Sequence, residues 1–215
     1  MPAARIAALL VGSFAVFTAC DDASVVTPLS ASWLEWSDSV AAGAPFGVRL
    51  YGVTAADQRY LRVRVRVAHD TLTIEPFSVA PPCRGGCPLG LGLYDTLVWV
   101  PAIAAQSPRL IMVRAANHWQ APGPPWPLRT FGALTVSPAV PVQPFMHSVG
   151  VGSGFERSLG CFAVIPVELS RVYISADQPP AWAPGFTGFV YGRIDPVLRS
   201  ACLDDAYVIR VDSIG

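Results

Sequence analysis

An all-β fold, a β-sandwich followed by a smaller disulfide-stapled β domain, is what this sequence predicts, and three observations carry that expectation. Apolar and polar residues alternate with period two along much of the chain. The 21 prolines and 18 glycines leave few uninterrupted windows long enough for a helix. Of the 215 residues, 52% are hydrophobic and 14% charged, so the chain has ample material for a core and is too apolar to stay disordered.

The strands follow from the alternation. Val48, Leu50 and Gly52 alternate with Arg49 and Tyr51; Leu61, Val63, Val65 and Val67 alternate with Arg62, Arg64 and Arg66; Leu72 and Ile74 alternate with Thr71, Thr73 and Glu75. Such segments fit strands with one face in a core. Further strands are expected from Tyr94 to Val100, Arg109 to Ala115 and Arg129 to Val136, and short strands without helices point to a sandwich over residues 31–136. Residues 137–144, SPAVPVQP, hold three prolines and read as a stiff linker. Beyond it, residues 145–215 form a second, small β domain with runs from Cys161 to Pro166, Arg171 to Ser175, Phe186 to Ile194 and Tyr207 to Ile214. Gly150-Val151-Gly152-Ser153-Gly154 opens no helix and lacks the G-K-[ST] ending of a phosphate loop, so it is expected to be a flexible turn.

The amino terminus reads as an export signal over residues 1–19. Arg5 supplies positive charge, Ile6 to Phe17 is mostly apolar, and the small residues Thr18 and Ala19 follow. The run is shorter than the ~20 apolar residues of a membrane-spanning helix. Phe17-Thr18-Ala19-Cys20 resembles the lipobox of bacterial lipoproteins, with Phe where that family prefers Leu. The resemblance implies that Cys20 carries lipid, that the protein is anchored in a bacterial cell envelope, and that residues 20–30 form a tether. Stretched out, the ten residues 21–30 reach about 33–36 Å.

Cysteine arithmetic agrees, because five is an odd number and Cys20 accounts for the one left over. Cys83, Cys87, Cys161 and Cys202 remain, and an oxidising compartment would pair them. Four cysteines allow three connectivities; proximity favours Cys83 with Cys87 and Cys161 with Cys202. The second bond closes a loop of roughly 40 residues, worth about 4 kcal/mol in the chain-entropy model.

Residues 39–53, 96–115 and 131–137 resemble, in that order, the opening, late and closing strands of bacterial immunoglobulin-like envelope domains, without the Cys-Trp-Cys core of antibody domains. GFTGFVYGRIDP, with a later cysteine and a final RVDSI, resembles small OB-like barrels of secreted bacterial proteins. These resemblances imply a sandwich and a barrel presented to a partner.

No chemistry stands out. Fifteen basic residues, all arginine, balance fifteen acidic ones, so no net field draws the chain to nucleic acid. His69, His118 and His147 are too far apart in sequence for a metal motif, and no nucleophile, base and orienter come together; no metal or cofactor is expected. Two candidate binding features remain. Arg62, Arg64 and Arg66 share one strand face and could grip anionic groups or simply remain solvated. Trp119 and Trp126 lie in the proline-rich stretch NHWQAPGPPWP, where they could hold a protein or glycan or lid one end of the sandwich. The expected function is therefore non-catalytic binding or assembly with a protein or glycan partner. The competing expectation is a hydrolase-type enzyme or an enzyme inhibitor with its site in the sandwich-end loops.

Overall fold

The computed structural model describes residues 25–55, 60–80, 91–119, 123–139, 145–158, 161–166, 173–175, 186–199, 202 and 206–215. These residues form fourteen strands and no helix: β1 (Val25–Pro28), β2 (Ser30–Ser37), β3 (Ser39–Ala41), β4 (Phe46–Ala55), β5 (Tyr60–Ala68), β6 (Thr71–Ala80), β7 (Leu91–Val100), β8 (Arg109–Ala116), β9 (Leu128–Ser137), β10 (Met146–Ser158), β11 (Cys161–Pro166), β12 (Tyr173–Ser175), β13 (Thr187–Arg199) and β14 (Tyr207–Ile214). Each stretch expected to be a strand contains one. The candidate signal peptide, Cys20, Cys83 and Cys87 lie outside the described residues.

Two sheets result. A six-stranded sheet runs β1-β6-β8-β9-β3, with β5 also pairing β6; an eight-stranded sheet runs β11-β12-β14-β13-β10-β2-β4-β7. Between them lies one large apolar core: Leu34, Trp36, Val48, Leu50 and Val98 from the larger sheet meet Leu72, Ile74, Ile111, Val113, Phe131 and Leu134 from the smaller. The alternation explains the half-burial. Val63 and Val65 face this core while Arg62, Arg64 and Arg66 point to solvent.

The larger sheet also curls back on itself. β11 pairs with β10 as well as with β12, so β10, β11, β12, β14 and β13 close a five-stranded ring in which only the β12–β14 pair is parallel. β10 serves two structures in turn. Met146 to Gly150 pair with β2, whereas Gly152 to Ser158 pair with β11. The Cys161–Cys202 disulfide expected from the sequence is present and ties β11 to the segment before β14, with the two Cα atoms 6.1 Å apart.

Two sequence expectations are corrected. Residues 25–30 are not tether, because β1 pairs with the end of β6 and Leu29 and Ser30 are buried. The glycine-rich stretch 150–154 is not a turn but the middle of β10. Its glycines are required by close packing: a Cβ on Gly150 would lie 2.6 Å from the Trp33 Cα, and one on Gly152 would lie 3.1 Å from the Trp33 ring.

Candidate binding surface

Strand β2, with sequence SASWLEWS, is buried on both faces. Leu34 and Trp36 enter the sandwich core, and Trp33 points the other way into the ring beside Val164, Tyr173, Val190, Ile194 and Ile209. Gly150 and Gly152 of β10 make room for its indole. Trp33 Nε1 donates to the Ser148 hydroxyl at 3.0 Å, and its ring stacks on Tyr173 with centroids 5.8 Å apart. A buried indole N–H needs such an acceptor, and Ser148, itself fully buried, supplies it.

Glu35 follows on the same face and is only 2% exposed. The Tyr51 hydroxyl donates to Glu35 Oε2 at 3.1 Å and the Tyr173 hydroxyl donates to Oε1. A carboxylate in an apolar setting is costly unless its oxygens accept hydrogen bonds, so the two phenols make this placement tenable. They also join three pieces of chain: β2, β4 and β12.

Toward the end of β2 the same face opens into a pocket of about 330 Å³ lined by Glu35, Trp36, Ser37, Gly47, Arg49, Leu97, Met146 and Tyr207. Met146 and Tyr207 belong to the ring strands, and Leu97 lies over Gly47, whose missing side chain admits it: a Cβ there would sit 2.8 Å from Leu97 Cδ1. On the rim, Arg49 forms a two-pronged pair with Asp95 at 2.8 Å for each bond and lies 5.4 Å from the Tyr51 ring centroid. The pair makes the rim electrically neutral.

Beyond the rim, β7 ends the larger sheet among the described residues. It presents Leu93, Leu97 and Trp99 to solvent at 58%, 54% and 65% exposure, flanking Asp95. Its other face, with Tyr94, Val98 and Val100, is buried in the sandwich core. The arrangement can bind: it offers an apolar, neutral surface, a small pocket and a strand edge.

The sequence-derived candidates lie elsewhere. Arg62, Arg64 and Arg66 stand on β5 in the smaller sheet; Glu75 Oε2 lies 4.0 Å from both Arg64 Nη1 and Arg66 Nε, and the Arg64 guanidinium sits 5.0 Å from the Phe77 ring centroid. Trp119 is partly buried against the sandwich core, and the half-buried Trp126 tilts against His118 at 5.6 Å. Their loop is held down by His118, whose backbone N–H donates to Ser30 Oγ at 2.8 Å while its Nδ1 lies 2.6 Å from the same oxygen. Both indole Nε1 atoms are buried and, among the described residues, have no hydrogen-bond partner.

Sequence reasoning did not single out Glu35, Tyr51, Tyr173 or the outward row of β7. Leu91, Leu93, Leu97 and Trp99 do share one parity in the sequence, which is the signal that was available. Among the described residues no three His, Cys, Asp or Glu side chains converge where they could hold a metal ion. No protein-family model, no curated protein and no solved structure matches the chain.

Proposed function

We propose that this protein is a non-catalytic, lipid-anchored module of a bacterial cell envelope that binds or assembles with a partner protein through the outer face of its larger sheet. The sandwich is read as immunoglobulin-like and the closed five-stranded ring as OB-like, with Cys20 as the point of attachment. The lipobox-like Phe17-Thr18-Ala19-Cys20 supports the anchor, and a disulfide fits an oxidising compartment. One observation carries the binding reading. Leu93, Leu97 and Trp99 are each more than half exposed in a single row beside the pocket, and contiguous exposed apolar residues mark interaction sites. A protein is favoured over a glycan because the row lies along a strand edge, which main-chain hydrogen bonds can extend.

Two experiments test the two parts. Mass spectrometry of the mature protein is expected to find a lipid-modified Cys20 at its amino terminus, and an unmodified Cys20 removes the anchor. A photo-crosslinking residue in place of Leu97, in cells, is expected to give a discrete adduct that the same residue at Leu110 does not. Equal labelling from both positions would sink the binding surface.

A further inference from the structure

Among the described residues, two long strands lie at sheet edges and are built differently. β5 carries Arg62, Arg64 and Arg66 along its solvent face, and charge on an edge is the usual protection against unwanted strand pairing. Among the described residues, β7 carries no such protection. It runs for ten residues, pairs with β4 from Leu91 to Val100 without a bulge, contains no proline or arginine, and has Asp95 as its sole charge, already neutralised by Arg49. An unprotected flat edge with apolar side chains is a template for another strand.

We infer that the added strand is β7 of a second copy, so that two molecules join edge to edge in antiparallel fashion and their eight-stranded sheets become continuous. This rests on the reading of that face as a binding surface. Self-complementarity selects the occupant and the register. Opposed residues in an antiparallel pair point to the same side, so the two outer faces stay aligned when odd-numbered residues meet odd-numbered ones. Two such registers overlap almost the whole strand. Centring on Asp95 sets the two Asp95 carboxylates against each other, which is unfavourable. Centring on Thr96 sets Leu93 against the second copy's Trp99, Asp95 against its Leu97, and the converse, so the two apolar rows lie side by side and no like charges meet. The chain's formal net charge of zero places no long-range repulsion between copies.

The test is sedimentation equilibrium of the full chain over a wide concentration range, combined with hydrogen exchange of the β7 amides. The expected result is twice the single-chain mass, with slower exchange at alternate amides of residues 91–100 as concentration rises. Leu97→Arg is expected to give the single-chain mass while keeping the wild-type circular dichroism spectrum. Leu110→Arg, at an equally exposed leucine of the smaller sheet (60%), is expected to remain a dimer. A wild-type chain that stays single at every concentration overturns the inference, yet leaves the proposed binding function intact if Leu97 still crosslinks to another protein. A dimer that survives Leu97→Arg, or forms without protection in β7, overturns it as well.

Discussion

The two faces of β2 support two cores of opposite character. On the sandwich side Leu34 and Trp36 meet an apolar filling in which the Trp36 N–H reaches the Ala133 carbonyl at 3.3 Å. On the ring side Trp33 and Glu35 meet Tyr51, Tyr173 and Ser148 in a cluster of stacked rings and hydrogen bonds. An apolar core tolerates rearrangement as long as volume is kept, whereas a buried polar network accepts one geometry and suffers when any member is lost. The ring should therefore be the less forgiving half.

The largest expected effect is at Trp33. Trp33→Ala empties the ring of its central side chain and orphans Ser148, and it is expected to lower unfolding free energy by about 4 kcal/mol in denaturant titration. Joint replacement of Cys161 and Cys202 by Ser follows closely. It releases a loop spanning 41 positions and is expected to lose about 4 kcal/mol or somewhat less, which titration of the wild type with and without reductant checks independently. On the sandwich side, Leu34→Ala is expected to lose about 3 kcal/mol while Leu34→Met loses about 1, the pattern of a core governed by volume.

Tyr173→Phe offers the sharper contrast. It conserves volume almost completely, yet it deprives buried Glu35 of a donor and is expected to lose about 2 kcal/mol. If it proves as mild as Leu34→Met, the distinction between the two cores fails. The smallest effect belongs to the surface of the ring, where Asp212 grips Arg193 through two bonds at 3.1 and 3.2 Å and, by hydrogen bonding and charge, raises the guanidinium pKa above its ordinary value. The stability that a raised pKa contributes is present below the unfolded value and is lost only as pH climbs through the folded one, so Arg193 adds no pH dependence near neutrality. With both side chains over a third exposed, Asp212→Asn should shift the thermal midpoint barely, consistent with well under 1 kcal/mol.

The same contrast explains what the sequence made legible. Strands with one wet face, such as β5 and β6, announce themselves by strict alternation. β2 does not, because both of its faces are buried and its ring side mixes serine and glutamate with tryptophan. β10 was hidden by glycines that read as a turn, though they exist to clear Trp33, a residue more than a hundred positions away. β7 was legible as a strand but not as an edge. Apolar on both faces, it reads like a central strand, and its position follows from long-range pairing that local pattern does not encode. The exposed row of β7 was missed for that reason, while the arginines of β5 and the tryptophans of the proline-rich loop drew attention by composition alone.

The double service of β10 also governs when this protein can fold. Trp33 and its hydrogen-bond acceptor Ser148 are separated by 115 positions, and β2 has no neighbour on that side until β10 exists. In synthesis from the amino terminus, at roughly 5–20 residues per second, β2 is made on the order of ten seconds before its partner. Contacts this distant in sequence also slow the search itself. The ring cannot close before β10 to β14 are available, so its closure is expected to be a late step of folding.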